Sequence, residues 1–248
     1  MKVEYISPSR IRYWNECQVQ YKFRYHDEIE IAIEENPYIQ FGKFVHLICE
    51  RAVSEKKNIQ NLAKEELLNF NFPSNMISRI PVILRHWQEL DNKIPSGAQE
   101  EVELEFNVNV ENSGVMIKGI IDRIIVSNNN AIVIDYKTTE SVGRQKTKRQ
   151  AYADPQMILY SYAVHKLKGV PFKNIQASLF YVDSGNIISV AITETDALKY
   201  ANSVINLSQT IKSTKPEKAK PNPGSSCKWC DYKEICGYYA RWKQIMKK

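Results

Sequence analysis

Two aspartates and a lysine lie on neighbouring apolar stretches of the sequence. Asp122 lies on the first stretch, Asp135 and Lys137 lie on the second, and three asparagines at 128–130 separate them. Asparagine tolerates the left-handed backbone of tight turns, so this pattern predicts a β-hairpin. With a two-residue turn at 128 and 129, paired residue numbers sum to 257 and Asp122 lies opposite Asp135. Positions two apart share a face of a strand, so Lys137 points to the same face as Asp135 and as Asp122 opposite it.

This arrangement of charges could hold a metal ion. Directly opposed side chains in an antiparallel pair have Cβ atoms about 4.5–5.5 Å apart, and like charges there are destabilising. A shared proton would relieve the repulsion, and so would Mg²⁺ or Mn²⁺, which are commonly held by one or two carboxylates plus substrate phosphate. Lys137 could then activate water or neutralise charge on the phosphate. The alternative is a solvated salt bridge on an exposed hairpin.

Two elements before the hairpin carry further polar candidates. Residues 38–55 have apolar side chains at helical spacing, which predicts an amphipathic helix with His46 on or beside its apolar stripe. A histidine there is either a hydrogen-bonded core residue or a metal ligand. Residues 101–110 alternate between apolar and polar side chains, which predicts a half-exposed strand with Glu103 on its solvated face.

Residues 139–154 are rich in cations and lack apolar periodicity. The cations are Arg144, Lys146, Lys148 and Arg149. Two interpretations remain open for this segment. It is a solvated loop, or it is a mobile flap that grips phosphate, since lysine and arginine supply most of the sequence-independent affinity for nucleic acid.

A helix is predicted directly after this basic segment. Asp154-Pro155 is a start signal and Gly169 is a stop signal. Gln156 and Tyr160 are four residues apart, so they are stacked on one face of the helix. Taken alone, Gln156 is an ordinary polar residue of a first helical turn.

The remaining segments complete an α/β pattern. One helix is predicted from Ser7 through Tyr21, two between 59 and 91, and one at 194–213, with strands at 175–182 and 187–192. Strands between helices predict an α/β fold with a mixed central β-sheet flanked by helices. The chain is interpreted as a single domain, 1–248, with a helical part (1–95), a core (100–213) and a linker with a cysteine segment (214–248).

Five cysteines occur, at positions 17, 49, 227, 230 and 236. The odd count and an expected reducing compartment argue against a disulfide framework. Cys227, Cys230 and Cys236 have the spacing C-x2-C-x5-C, and three thiolates need a fourth ligand to complete a tetrahedral Zn²⁺ site or a four-iron cluster. Cys17 lies in the aromatic-rich first helix, where a lone cysteine is usually a small core residue.

Composition narrows the class of protein. The 248 residues are 43% hydrophobic and 25% charged, which is enough to bury one substantial core. A formal net charge of +6 suits a polyanionic partner such as nucleic acid. The sequence has no apolar run long enough to span a membrane and no apolar signal segment at its start, so we expect a cytoplasmic protein without membrane association.

Several of these residues occur in the order of a known family's motifs. Gly119-Ile120-Ile121-Asp122 followed by Ile134-Asp135-Tyr136-Lys137-Thr138 resembles the signature of PD-(D/E)XK nucleases, in the form found in RecB-like and AddB-like enzymes. Ile121 occupies the place of a proline that many members have. Gly42-x-x-x-His46 before the signature and Gln156-x-x-x-Tyr160 after it also resemble motifs of the RecB-like branch.

The resemblance implies a restriction-endonuclease-like core and metal-dependent hydrolysis of phosphodiester bonds. It makes His46, Asp122 and Asp135 the ligands of one or two Mg²⁺ or Mn²⁺ ions, with the backbone carbonyl of Tyr136 as a further ligand. It gives Lys137 the role of orienting water or stabilising the phosphate.

The resemblance also implies roles for residues on other elements. Gln156 and Tyr160 would line the active site and contact the substrate. Members of the family commonly have a glutamate in the strand before the first aspartate, and Glu103 is the nearest match to it.

The cysteines have a matching arrangement as well. One cysteine near the start and three near the end resemble the pattern of Fe–S nucleases of the AddB type and of CRISPR-associated adaptation nucleases. Cys17, Cys227, Cys230 and Cys236 would then hold a structural 4Fe–4S cluster that joins the N- and C-terminal segments, with Zn²⁺ as the alternative. Gln18 stands where a proline often follows the first cysteine.

The implied substrate is DNA. An exonuclease that acts on single strands or DNA ends is most typical of the resemblance. Two alternatives remain open: a CRISPR adaptation nuclease that trims spacer precursors, and a non-catalytic nucleic-acid-binding protein that contains Zn²⁺ or an Fe–S cluster. A homo-oligomer, or association with a helicase or another DNA-processing protein, is also compatible with the resemblance.

Overall fold

A computed structural model describes residues 1–31, 36–110 and 113–246. The helices of this part of the chain are α1 (Pro8–Glu16), α2 (Gln18–Tyr25), α3 (Pro37–Ser54), α4 (Ile59–Leu67), α5 (Ser74–Ile77), α6 (Ile80–Asp91), α7 (Lys148–Tyr152), α8 (Pro155–Lys168), α9 (Glu194–Ser213) and α10 (Gly237–Ile245). The strands are β1 (Gln99–Asn109), β2 (Met116–Ser127), β3 (Asn130–Lys137), β4 (Ile175–Tyr181) and β5 (Asn186–Val190).

The five strands form one mixed sheet in the order β1-β2-β3-β4-β5. β2 and β3 are antiparallel, β3 and β4 are parallel, and β4 and β5 are antiparallel. Parallel neighbours need a crossover connection, and the segment that contains α7 and α8 supplies it. The predicted α/β fold with a mixed sheet is therefore confirmed.

The β2–β3 hairpin has the predicted register. Pairing runs from Ser127 opposite Asn130 to Arg123 opposite Ile134, so paired numbers sum to 257. Asn128 and Asn129 have φ angles of 47° and 61°. Both turn residues are left-handed, as a two-residue turn that follows the twist of its strands requires.

The helix α3 is positioned by its apolar face. Its side chains Phe41, Phe44, Val45 and Ile48 are buried in a cluster that also includes residues of β2, β3 and β4. The Asn36 side chain accepts a hydrogen bond from the second residue of the helix and fixes its start. Burial of one face of α3 holds its polar residues beside the ends of β2 and β3.

Backbone contacts divide the chain into two compact units. One comprises Met1–Glu34, Asn109–Lys118 and Asn202–Lys248, and the other comprises Glu35–Val108 and Gly119–Ala201. The four cysteines predicted to hold a cluster belong to the first unit. The predicted metal ligands, the lysine and the two residues of α8 all belong to the second.

Two predictions about helices are wrong, and α7 was not predicted. The single helix predicted from Ser7 is two helices, because Cys17 has an extended backbone (φ −163°, ψ 113°) that ends α1 and precedes α2. The second helix predicted between 59 and 91 is also two, α5 and α6, since Pro81 fits the first turn of a new helix. Residues 139–154 contain a 3₁₀ turn and α7, which starts with a capping box at Thr147.

None of the helices in the described ranges combines the length and the apolar character that crossing a membrane requires.

Candidate active site

Three potential metal ligands from three elements converge in one cleft. His46 of α3, Glu103 of β1 and Asp122 of β2 each place one ligand atom within 4.8 Å of the other two. They line an open cleft of about 570 Å³ together with Thr138, which follows β3. Two carboxylates and an imidazole in this geometry are a donor set that suits a divalent cation.

Glu103 reaches this group because β1 is irregular at that residue. Its φ angle is +46°, a left-handed conformation that interrupts the alternation of the strand. Beyond the irregularity the predicted alternation holds, with Phe106 and Val108 buried. The sequence left two interpretations of Glu103 open, a residue on the solvated face of the strand or a residue of the site. The structure places it among the potential ligands.

His46 connects Asp122 to the strand that carries Asp135. Its Nδ1 lies 3.5 Å from the Asp122 Oδ2, and its Nε2 lies 3.1 Å from the carbonyl oxygen of Tyr136. Burial alone would lower the pKa of His46, but the hydrogen bond and charge of Asp122 and the charge of Asp135 outweigh it and raise the pKa. The imidazole therefore lies next to two of the other three predicted ligand groups, the Asp122 carboxylate and the Tyr136 carbonyl.

Asp135 lies in a different part of the same site. It is 1% exposed. Its Oδ1 accepts a hydrogen bond of 2.5 Å from the Gln156 side chain, and its Oδ2 forms an ion pair with Lys137. Burial raises the pKa of Asp135, Lys137 opposes that shift and Asp122 adds to it, so the pKa is higher than usual. Among the described residues, the group within 4.8 Å contains Glu103 in place of Asp135.

Gln156 and Tyr160 together join α8 to both strands of the hairpin. Its Oε1 accepts from the Lys137 ammonium at 3.3 Å, and its Nε2 donates to the Tyr160 hydroxyl at 2.8 Å as well as to Asp135. The Tyr160 hydroxyl donates in turn to the carbonyl oxygen of Ile120 at 2.5 Å. The Asp154 carboxylate caps α8 by accepting from the Gln156 backbone N–H at 2.8 Å.

The basic segment after β3 is held in place at several points. Lys146 forms an ion pair with the largely buried Asp154, and its backbone N–H donates to the Tyr181 hydroxyl at 2.8 Å. Gln145 donates to the Ser184 hydroxyl at 2.8 Å. The charges of Lys137 and Asp135 act on the Lys146 ammonium, so Lys146 lies at the edge of the site. The cations Arg144, Lys148 and Arg149 are exposed, and their contact with phosphate stays a prediction.

A buried ion pair that nothing in the sequence indicated supports the end of β3. The Arg79 guanidinium donates to both oxygens of Asp183 at 2.6 and 2.8 Å, and to the Thr138 carbonyl oxygen at 3.1 Å. Both charged side chains are largely buried. Arg79 and Asp183 are far apart in sequence, so neither offered a local signal.

The four cysteines line one cavity in the other unit. Cys17, Cys227, Cys230 and Cys236 all border a space of about 250 Å³. Within the described ranges, no three of their sulfur atoms lie within 4.8 Å of one another, so a cluster stays a prediction. The Cys227 sulfur accepts a hydrogen bond from the Gly224 N–H at 3.3 Å.

The linker before the three late cysteines is hydrogen-bonded to the residues that precede and follow Cys17. The Gln18 N–H donates to the Lys220 carbonyl oxygen at 3.2 Å, and the Lys220 N–H donates to the Gln18 side chain at 3.0 Å. The Asn222 side chain donates to the Glu16 carbonyl oxygen at 2.9 Å. These contacts bring the early and late cysteines to the same cavity.

Most of the sequence matches one protein family. A family model of the PD-(D/E)XK nuclease superfamily matches residues 5–237. The chain belongs to this superfamily. Nucleases of the superfamily use divalent metals, and the group of His46, Glu103 and Asp122 in this nuclease fits such an ion.

Individual relatives give further comparisons. The nuclease is 26% identical over 190 residues to an uncharacterized protein of Rickettsia bellii (strain RML369-C). The alignment covers 66% of this chain and 22% of that protein, so the chain spans about a fifth of the relative's length.

Among solved structures, the nuclease is similar to a candidate exonuclease from Eubacterium rectale, with a TM-score of 0.57 and 15% identity over 96% of this chain and 88% of the other. This similarity shows a shared fold. The crystal structure of SSO0001 has a TM-score of 0.44 at 17% identity over 96% of this chain and 88% of the other.

Proposed function

We propose that this nuclease hydrolyses phosphodiester bonds in DNA with the help of Mg²⁺ or Mn²⁺. The observation that carries the proposal is the convergence of His46, Glu103 and Asp122 beside the ion pair of Asp135 and Lys137. A divalent cation bound by these residues would lower the pKa of a bound water and neutralise charge on the phosphate. Asp135 and the carbonyl of Tyr136 are the further ligands that we propose.

Lys137 is the residue that we propose acts directly on the reacting groups. Its ammonium contacts Asp135 and the Gln156 side chain, while 30% of the side chain remains exposed. Two acceptors fix its position, and its free N–H can donate to a water or a phosphate oxygen in the cleft. Gln156 and Tyr160 would keep the lysine and Asp135 in register with β2 and contact the substrate.

DNA ends or single strands are the substrate that we propose. The formal net charge of +6 favours a polyanionic partner. The similar protein from Eubacterium rectale is named as a candidate exonuclease, which favours attack at ends. An exonuclease of this kind would release mononucleotides or short products from a labelled strand.

A cleavage assay tests this proposal. Labelled single-stranded and double-stranded DNA are incubated with the protein and Mn²⁺, Mg²⁺ or EDTA. We expect cleavage that needs the cation and is abolished by Asp135→Asn and by Lys137→Met. Lys64→Met, which removes an exposed lysine of α4, is the matched control and should remain active. Full activity of both active-site variants would refute the assignment.

We further propose that the four cysteines hold a structural 4Fe–4S cluster. A tetrahedral Zn²⁺ site with Zn–S bonds of about 2.3 Å requires sulfur atoms roughly 3.8 Å apart. The sulfur atoms of Cys17, Cys227, Cys230 and Cys236 share a cavity without approaching that closely as a group. The cavity of about 250 Å³ that they share leaves room between them for a cluster larger than a single ion.

Metal and sulfide analysis of the protein, purified without oxygen, tests the cluster. We expect iron and acid-labile sulfide in equal amounts, a brown colour, and their loss in Cys17→Ser. Cys49→Ala, at a buried cysteine of the other unit, should retain them. Zinc without sulfide would contradict this proposal and would leave the nuclease assignment unaffected.

A further inference from the structure

The first turn of α3 exposes two apolar side chains at the edge of the active-site cleft. Tyr38 is 66% exposed and Ile39 is 48% exposed. Both line the same cleft as His46, Glu103 and Asp122. Large apolar side chains that are exposed beside a site of charged and polar groups suggest that a ligand covers them.

The position of Tyr38 on the helix relates it to the candidate metal ligands. Tyr38 and His46 both line the cleft and are eight residues apart in α3, which separates them by about 80° around the helix and about 12 Å along its axis. Lys43 also lines the cleft and adds a cation to it. The Tyr38 backbone N–H donates to the Asn36 side chain at 2.9 Å, so the turn that presents the ring is fixed by a cap.

The chemistry of this edge matches one class of ligand. Aromatic rings bind nucleobases by stacking, and cations bind the phosphates between them. At about 3.4 Å of rise per stacked nucleotide, 12 Å corresponds to roughly three or four nucleotides, and to fewer when the strand is extended. A strand with its scissile phosphate at His46 and Asp122 would therefore reach Tyr38 within a few bases.

We propose that Tyr38, with Ile39 beside it, stacks on an unpaired nucleobase of the strand that is cut. This inference rests on the proposed nuclease function and gives its substrate class as single-stranded DNA. A base within a duplex is already stacked on both faces, so the ring would meet a free base face only on a single strand or a frayed end. The ring adds affinity without sequence preference, because every base has a π-face.

Binding measurements separate stacking from cleavage. The Asp135→Asn protein, which we expect to bind without cutting, is titrated with a fluorescent single-stranded oligonucleotide in Mn²⁺ and followed by anisotropy. Adding Tyr38→Ala should weaken binding about tenfold, whereas Tyr38→Phe, which keeps the ring, should stay within about twofold. Leu68→Ala removes a side chain that is 88% exposed and does not line the cleft, so it should have no effect.

An abasic oligonucleotide of the same length identifies the contact. With the bases removed, the Tyr38→Ala protein and its parent should bind equally, because only the ring–base contact distinguishes them. Equal binding of the two proteins to the normal oligonucleotide would overturn the inference. An equal loss on normal and abasic strands would overturn it as well, since the ring would then contact something other than a base.

Failure of the nuclease function has a different signature from failure of this inference. The wild-type protein would then degrade no DNA in Mn²⁺, whatever side chain occupies position 38. If the wild type cleaves single strands and Tyr38→Ala cleaves and binds them equally well, the nuclease function stands and the stacking role of Tyr38 is wrong.

Discussion

Replacing Glu103 by glutamine tests the part of the site that the sequence described least well. Glu103 supplies one of the three ligand atoms that lie within 4.8 Å of one another, and the other two come from His46 and Asp122. Glu103→Gln keeps the size of the side chain and removes its charge. We expect weaker Mn²⁺ binding, because a hard cation loses one of its anionic oxygen ligands.

The size of the effect follows from the role of the residue. Loss of a group that only orients a metal ligand typically costs 10- to 100-fold in affinity, so loss of a ligand itself should cost at least about 100-fold, or roughly 2.7 kcal/mol. Stability without metal should change in the opposite direction. Burial and the charge of Asp122 raise the pKa of Glu103, against the effect of His46.

A raised pKa means that the ionised carboxylate destabilises the metal-free fold above that pKa, and that protonation at lower pH relieves the cost. The neutral glutamine should therefore raise the free energy of unfolding at neutral pH. No such gain is expected at acidic pH, where Glu103 itself is protonated.

Two measurements check the expected loss of Mn²⁺ affinity and the expected gain in metal-free stability. Isothermal titration with Mn²⁺ gives the affinity, and urea denaturation in EDTA gives the free energy of unfolding. Glu105→Gln is the matched control, since Glu105 is an exposed glutamate two residues along the same strand and should change neither value. If Glu103→Gln bound Mn²⁺ as tightly as the wild type, Glu103 would not be a ligand and the donor set proposed for the cleft would be wrong.

Two further changes test how the site is supported. Gly119→Ala would place a Cβ 2.5 Å from the Phe106 ring, so we expect a loss of about 1–3 kcal/mol in urea denaturation together with reduced cleavage; unchanged stability would contradict the close approach. Arg79→Met would leave the buried carboxylate of Asp183 unpaired and should cost about 3–5 kcal/mol. Arg85→Met, at an exposed ion pair, should cost less than about 1 kcal/mol, and equal losses in the two arginine variants would refute the argument.

The parts of the fold that could be predicted depend on local chemistry. Asn128 and Asn129 fixed the hairpin turn and hence its register, because two adjacent left-handed residues permit few turn geometries. Asp154 and Gly169 marked the two ends of α8, where the structure has a side-chain cap and a left-handed residue with φ of 68°. Each signal acts over a few residues, so sequence is sufficient to interpret it.

The parts that could not be predicted have no local signal. Glutamate has no preference for a left-handed backbone, so nothing indicated that Glu103 would leave the alternation of its strand. Apolar spacing continues on both sides of Cys17, and only the surrounding structure explains the extended residue between α1 and α2. Arg123 of β2 is fully buried, with ion pairs to Asp91 and Glu100, which lie more than twenty residues away in the sequence. These features depend on contacts between distant segments.

The carboxylate of Asp122 also has a role in the architecture of the hairpin. Just past the last main-chain pair of β2 and β3, its Oδ2 accepts a hydrogen bond of 2.7 Å from the backbone N–H of Tyr136. An asparagine could still offer an oxygen to that N–H while giving up the negative charge. Under the function proposed above, a single Asp122→Asn substitution in a descendant of this protein would therefore remove cleavage and keep the fold, and selection could retain the product as a protein that only binds DNA.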